Sequence, residues 1–162
     1  MKKNLTETIL PNGEKISKAD KLLASTGTLE ELSALIQLSK NQYLSDSKSS
    51  CIFLFAKFTE FEEAIDAMIK SLLTSKKNNG KYENSRFSKT NFLKNLQKEK
   101  NIYETEMSKN FSKQFESNIS YIRTVIRRAE RQVIASKNVQ LGMVPEEEVI
   151  EYLNILSKYF EK

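Results

Sequence analysis

The segment from residue 112 to residue 137 carries a long and regular apolar pattern. Its apolar residues recur at alternating spacings of four and three, which at about 100° per residue places them on one side of a helix. The residues of this pattern are Phe115, Ile119, Ile122, Ile126, Ala129 and Val133. Because an apolar stripe of this length must be buried, the segment predicts one long helix that packs against partner helices.

Two further segments carry similar patterns and supply such partners. From Asp46 to Leu73 the apolar residues again alternate in steps of three and four, namely Cys51, Leu54, Phe58, Phe61, Ile65, Met68 and Leu72. A last helix is predicted to begin at Pro145, with three glutamates in its first turn. Since Gly and Pro number only 4 and 2 and no convincing strand pattern occurs, we predict an all-α fold built as a helical bundle.

The chain of 162 residues fits a single domain that is large enough to bury a core without a staple. We expect residues 1–45 to form short N-terminal helices and residues 46–162 to form the bundle core, with a basic insertion at residues 75–110. Residues 1–14 are interpreted as an irregular leader, in which the sequence Pro-Asn-Gly at residues 11–13 marks a turn.

Two short helices are predicted in the N-terminal region. The first covers residues 17–24 and is ended by the sequence Ser-Thr-Gly at residues 25–27. The second begins at Thr28, which forms a capping box with Glu31, and extends to about Tyr43. These helices are expected to add to the bundle rather than to form its centre.

The composition excludes several kinds of site. The chain has no histidine and a single cysteine, Cys51, so an internal disulfide is impossible and a zinc site is not expected. We predict no metal and no cofactor. The longest apolar run, residues 51–56, is far too short to span a bilayer, and the first residues lack the apolar core of a signal peptide. The sequence therefore predicts a cytoplasmic protein with no membrane partner.

The predicted long helix also carries a cluster of arginines opposite its apolar stripe. Arg123, Arg127 and Arg131 recur every four residues, Arg128 lies beside them, and Glu130 is the one nearby carboxylate. Because neighbouring like charges repel, this side of the helix is expected to face an anion or water. A solvated surface and an anion-binding surface both remain possible at this point.

The insertion concentrates the positive charge of the chain. Between residues 76 and 100, eight basic residues and two glutamates give a net charge of +6, which exceeds the +5 of the whole chain. Clustered basic residues bind phosphates, and interleaved aromatic residues can stack on unpaired bases. The candidate nucleic-acid contacts in this segment are Lys76, Lys77, Lys81 and Arg86, with Tyr82, Phe87 and Phe92 as stacking residues. The alternative is a solvated loop whose aromatic residues pack on the bundle. Within the insertion, Ser88 is predicted to cap a short helix that extends through Lys98.

The end of the long helix reads RQVIAS at residues 131–136. This string resembles the signature of HEPN domains, helical bundles of which many are RNases. Their pattern is an arginine, a polar residue, an apolar stretch and a histidine. Here Arg131 matches the arginine, Gln132 occupies the polar position, and Ser136 stands where the histidine would be. The order of a long helix, a short link and a final helix with an acidic start also resembles these domains over residues 46–162.

The resemblance implies an HEPN-like up-and-down bundle that forms a homodimer with RNA or another polyanion as its partner. It also implies a cleft without metal, in which Arg131 binds phosphate while Gln132 and Ser136 occupy a degenerate catalytic motif. Arg123, Arg127 and Arg128 would then join the nucleic-acid contacts. A serine hydroxyl has no pKa suited to proton transfer near neutral pH, so this interpretation gives an inactive form of a metal-independent endoribonuclease.

Several explanations of Ser136 stay open in the sequence. It is a small residue that continues the apolar stripe, or a cap at the helix end, or an engineered or natural replacement of a catalytic histidine. A role in phage defence or a toxin–antitoxin system, with an antitoxin or defence protein as partner, follows from the family resemblance alone. The alternative function is a non-enzymatic helical adaptor that acts through protein contacts.

Overall fold

The computed structural model describes residues 5–11, 13–46, 52–74, 76–78, 81–83, 87–93, 96–107, 113–136 and 144–161. The helices are α1 (Lys21–Asp46), α2 (Ile52–Thr74), α3 (Leu96–Met107), α4 (Lys113–Ser136) and α5 (Val144–Tyr159). The short strands are β1 (Glu7–Ile9), β2 (Lys15–Ser17), β3 (Lys76–Asn78) and β4 (Lys81–Glu83), and they pair as two antiparallel hairpins.

Four of the helices, α1, α2, α4 and α5, form the bundle. α4 packs along α1 on one side and along α5 on the other, while α2 packs against α1 and α5. Asn118 of α4 donates to Gln42 of α1, whereas Arg128 of α4 contacts Glu31 of α1, so these two helices run antiparallel. The prediction of a mainly helical bundle is therefore confirmed, while α1 is a full member of it and not a short addition.

The apolar stripes that predicted the long helices are the core. All six stripe residues of α4 are buried, from Phe115 to Val133. In α2 the six stripe residues from Leu54 to Leu72 are buried as well, whereas Cys51 lies outside the described residues. In α5 the buried residues include Val149, Leu153 and Leu156. The spacing of apolar residues was enough to place α4 and α2, whereas the start signals at Pro145 placed α5.

The prediction of two short N-terminal helices is wrong, because α1 continues without interruption through the sequence Ser-Thr-Gly. The hydroxyls of Ser25 and Thr26 donate to the carbonyls three residues back, and that of Thr28 donates to the carbonyl four residues back. These bonds keep the hydroxyls inside a helical backbone. The real N-cap is Asp20, whose carboxylate accepts from the amide of Leu22 at 2.8 Å.

The predicted turn before Glu14 is confirmed, but residues 7–9 of the predicted irregular leader form β1, which pairs with β2. Gly13 has φ of +83°, a left-handed conformation that glycine adopts without strain. Its amide donates to the carbonyl of Leu10 at 2.8 Å and closes the turn. Three residues per strand are too few to give a recognisable alternation, so this hairpin was not predicted from the sequence.

The described parts of the insertion contain more regular structure than the one short helix predicted there. They contain the hairpin of β3 and β4, a 3-10 turn at Lys89–Asn91 and then α3. The predicted helix from Ser88 to Lys98 is wrong, because the Ser88 hydroxyl bonds to the Thr90 hydroxyl and caps no helix. Phe87 is buried and stacks on Phe92 with ring centroids 5.6 Å apart. These two rings pack on Tyr152 of α5 and do not offer a surface to nucleic-acid bases.

One end of the bundle holds an aromatic cluster formed by Phe58, Phe61, Tyr103, Tyr159 and Phe160. Tyr103 of α3 lies with its ring centroid 4.7 Å from that of Tyr159 and 5.8 Å from that of Phe160. Phe61 of α2 meets the same two rings at 5.2 and 5.5 Å. These separations lie in the range at which aromatic rings attract one another. The cluster therefore joins α2, α3 and α5.

A buried lysine lies beside the aromatic cluster. The Lys57 side chain is 2% exposed and its ammonium pairs with Glu60 at 2.5 Å and with Glu99 of α3. The same ammonium lies 5.9 Å from the centre of the Phe61 ring. We call Lys57, Glu60 and Glu99 the buried lysine cluster. Together with the Tyr103 ring, it attaches α3 to the bundle.

None of the helices in the described part of the chain has both the length and the apolar character needed to cross a bilayer. The cytoplasmic location and the single domain of residues 1–162 stay predictions.

Candidate anion-binding site

The side of α4 that faces away from the core carries four arginines, which we call the arginine face: Arg123, Arg127, Arg128 and Arg131. The core residues of α4 occupy the opposite side, where α1 and α5 cover them. Because α4 is fixed on two sides, its outward side chains start from a rigid backbone. A rigid backbone is what a binding site for a charged group requires.

Arg128 is paired with a carboxylate of α1. Its guanidinium Nη2 donates to Oε2 of Glu31, and the Tyr121 hydroxyl donates to Oε1 of the same carboxylate at 3.1 Å. The side chains of Arg128 and Glu31 are 41% and 39% exposed. Both oxygens of Glu31 are therefore engaged by α4, and the charge of Arg128 is compensated within the protein.

Arg123 is paired with a carboxylate just after α5. Its Nη2 donates to Oε1 of Glu161 at 3.0 Å. Within the described part of the chain, the Nε atom of Arg123 is buried and has no hydrogen-bond partner. The second of the four arginines is thus also turned toward an internal carboxylate.

Arg127 and Arg131 are exposed and lie one helical turn apart. Among the residues that the structure describes, no carboxylate lies within ion-pair distance of either guanidinium. Glu130, which the sequence offered as a compensating charge, makes no such pair there either. Arg123 and Arg128 therefore have partners within the protein, whereas Arg127 and Arg131 are available to an anion from solution.

The structure does not bring the proposed motif residues together. Arg131 and Ser136 are five residues apart, so they project about 140° apart around the helix. Ser136 is half-buried and its hydroxyl donates to the carbonyl of Val133 at 2.8 Å. Gln132 is half-buried too, and its Oε1 atom has no hydrogen-bond partner among the described residues. The Ser136 hydroxyl thus bonds to a carbonyl of its own helix at the end of α4, in agreement with the interpretation of Ser136 as a cap.

Three of the four basic residues of the insertion that were predicted to contact nucleic acid lie in one hairpin. Lys76, Lys77 and Lys81 belong to the hairpin of β3 and β4, where Lys77 pairs with Tyr82. Arg86 lies outside the described residues. Their predicted contact with nucleic acid therefore receives no support from geometry.

Sequence reasoning missed three residues of the site: Glu31, Tyr121 and Glu161. Glu31 was interpreted as part of a capping box, but it lies inside α1 and contacts α4. No signal in the sequence places it against α4, because its partner Arg128 lies 97 residues away. Nothing in the sequence pairs Glu161 with Arg123.

The four glycines lie far apart at positions 13, 27, 80 and 142, so the sequence has no glycine-rich phosphate loop. Guanidinium groups are well suited to bind phosphate in its place.

Comparison with known proteins identifies the family. The family model described as cobalamin adenosyltransferase matches residues 2–160. Among solved structures, an arginine-to-lysine variant of the PduO-type ATP:co(I)rrinoid adenosyltransferase from Lactobacillus reuteri, complexed with ATP, is similar to this chain at 21% identity. Its TM-score is 0.69, and the match covers 96% of this chain and 84% of that one. A phenylalanine-to-alanine variant of the corresponding Lactobacillus reuteri enzyme, complexed with cobalamin and ATP, gives the same values. No curated protein matches the sequence.

These matches overturn the HEPN resemblance. Its one specific motif was a string of six residues, whereas the family model matches residues 2–160. The predicted ribonuclease ancestry, the RNA and antitoxin partners and the role in phage defence are therefore wrong, and the homodimer expected from that resemblance loses its basis. The non-enzymatic adaptor is wrong as well, because the matching family is one of enzymes. The chain belongs to the cobalamin adenosyltransferase family.

Proposed function

We propose that this protein transfers the adenosyl group of ATP to the cobalt of a corrinoid. The observation that carries the proposal is the family match over residues 2–160, which includes all five helices and the arginine face. The similar structures from Lactobacillus reuteri are named ATP:corrinoid adenosyltransferases and contain ATP, in one case with cobalamin. Their likeness in fold supports the same arrangement of helices here.

The chemistry of this transfer requires cationic groups beside the triphosphate. A reduced Co(I) centre supplies the electron pair of the new cobalt–carbon bond to C5′ of the nucleoside. The bond between C5′ and the triphosphate oxygen breaks, and its electron pair leaves with the triphosphate. Negative charge therefore grows on the triphosphate as the reaction proceeds. Fixed positive groups that meet this charge lower the barrier more than they stabilise the bound substrate.

Arg127 and Arg131 are suited to that role. Each guanidinium offers a planar set of N–H donors that can bind a phosphate through two bonds. They lie one turn apart on a helix whose other sides are packed, and no described carboxylate competes for them. We assign them to the triphosphate of ATP. They would orient the nucleotide in the ground state and carry the growing charge of the leaving group.

The test is a direct assay of the purified chain with ATP and chemically reduced cobalamin. We expect adenosylcobalamin, followed by its absorbance spectrum, and inorganic triphosphate in equal amounts. Arg127→Gln and Arg131→Gln should each lower kcat/KM for ATP by about tenfold or more, since a hydrogen bond to a charged group contributes about 1.5–3 kcal/mol.

Lys113→Gln is the matched control, because Lys113 is an exposed cation at the opposite end of α4. It should leave kcat/KM unchanged. Absence of adenosylcobalamin with the wild-type chain, or release of diphosphate or monophosphate in place of triphosphate, would overturn the proposed function. Unchanged kinetics in both arginine variants would remove the arginine face from it.

A further inference from the structure

The arginine face holds four similar groups in two different states. Arg123 and Arg128 point toward carboxylates of other elements, while Arg127 and Arg131 have none among the described residues. Arg128 is three residues from Arg131 and adjacent to Arg127 in sequence. Residues three apart on a helix are surface neighbours, with about 5–6 Å between their Cβ atoms. Without its partner, Arg128 would therefore reach the same anion as Arg131.

The partner of Arg128 is held firmly in place. Tyr121 and Arg128 are seven residues apart, which puts them two turns apart on the same side of α4. Glu31 of α1 accepts a hydrogen bond from each of them, one on each carboxylate oxygen. A carboxylate fixed by two donors has little freedom to leave its arginine. Glu31 therefore turns Arg128 toward α1 and cancels its charge.

We propose that Glu31 is a positioning residue that sets how tightly the arginine face binds polyphosphate. It withholds Arg128, so that the face offers two guanidinium groups and not three. Two cations are enough to hold ATP, and the triphosphate product can still leave. The idea deepens the proposed function, on which it rests for the identity of the substrate. It assigns to Glu31 an effect on affinity that is opposite in sign to the effect of a simple structural tether.

The contrast in sign makes the inference testable. If Glu31 only ties α1 to α4, loosening it without a change of charge, as in Tyr121→Phe, cannot strengthen anion binding. If Glu31 withholds a cation, its removal adds one positive group to the face and strengthens binding. Inorganic triphosphate is the probe, because it reports on the face without adenosine, corrinoid or turnover.

The experiment measures triphosphate binding to the full chain by isothermal titration calorimetry at low and at physiological salt. We expect Glu31→Gln to bind about fivefold more tightly than wild type at low salt, with a larger loss of affinity as salt is added. Product inhibition of adenosyl transfer by triphosphate should strengthen by the same factor. The double variant Glu31→Gln with Arg128→Gln should return to the wild-type affinity.

Tyr121→Phe removes one of the two donors to Glu31 and should shift the affinity in the same direction by a smaller factor, about twofold. It also keeps the test decisive if Glu31→Gln does not fold. An affinity equal to or below wild type in the folded Glu31 variant, or in Tyr121→Phe where that variant replaces it, overturns the inference. Adenosyl transfer with no effect of Glu31 would reject this inference alone, whereas the predicted binding effects without adenosyl transfer would reject the proposed function alone.

Discussion

The buried lysine cluster and the arginine face contain the same kinds of ion pair at different depths. Lys57 is 2% exposed between two carboxylates, whereas the paired residues Arg128 and Glu31 are each about 40% exposed. A buried charge that loses its partner is costly, while an exposed pair contributes about 0–1 kcal/mol. The first arrangement therefore holds the fold together. The second contributes little to stability, so its residues can be replaced without loss of the fold.

The largest effect should come from removing the buried cation. Lys57→Ala leaves Glu99 without its partner next to the aromatic cluster, and we expect a loss of about 3–5 kcal/mol in the free energy of unfolding. Urea unfolding followed by circular dichroism measures it. Lys158→Ala, at an exposed position of α5, is the control and should cost less than about 0.5 kcal/mol. A loss below about 1 kcal/mol for Lys57→Ala would mean that depth does not separate the two regions.

Alkaline pH should act on the same buried region. Burial raises the pKa of Tyr103, Tyr152 and Tyr159, and the nearby carboxylates of Glu104, Glu60 and Glu99 add to the rise. In the unfolded chain these phenols ionise near pH 10. Their contribution to stability is fully present below about pH 10 and is lost as the pH rises above that value. Urea midpoints measured between pH 8 and pH 11 should stay level and then fall, and phenolate absorbance from these residues should appear together with unfolding.

A smaller effect of opposite sign is expected at Tyr159. Its hydroxyl is buried and has no hydrogen-bond partner among the described residues. A buried hydroxyl without a partner costs free energy, so Tyr159→Phe should raise the free energy of unfolding by about 1 kcal/mol while the ring contacts remain. Thermal and urea unfolding of the two proteins provide the comparison. Destabilisation by this variant would reveal a hydrogen bond made by the hydroxyl.

The smallest effect is expected at the exposed pair of Arg123 and Glu161. Glu161→Gln should change the free energy of unfolding by less than about 1 kcal/mol, and 1 M salt should remove most of that difference. Salt should change the cost of Lys57→Ala much less, because Lys57 and its partner Glu99 are 2% and 18% exposed. Equal salt sensitivity of the two variants would contradict the distinction between the regions.

The fold was largely predictable where apolar spacing decides it. α4 and α2 follow from their stripes, since burying those stripes leaves few alternatives, and α5 follows from the proline and glutamates at its start. The break predicted inside α1 failed because Ser25, Thr26 and Thr28 satisfy their hydroxyls on carbonyls of the same helix. α3 was missed because its sequence is mostly polar. Among its described side chains, Glu99 and Tyr103 contact the other helices.

The site was predictable only in part. The repeated spacing of Arg123, Arg127 and Arg131 identified the charged side of α4 but left a solvated surface and an anion-binding surface both open. The division of the arginines into paired and unpaired groups depends on Glu31 and Glu161, which are distant in sequence from their partners and meet them only in the folded chain. The family was misidentified because a six-residue string has little information compared with a pattern spread over the whole chain.

The attachment of α3 has a consequence for how the molecule opens. The contacts seen for this helix are an ion pair of Glu99 with Lys57 and the packing of the Tyr103 ring on Tyr159 and Phe160. Breaking these few contacts detaches α3, while the packing between α1, α2, α4 and α5 remains intact. The amide hydrogens of α3 should therefore exchange with deuterium through a sub-global excursion of low free energy, whereas those at the centre of α4 exchange only when the whole domain unfolds.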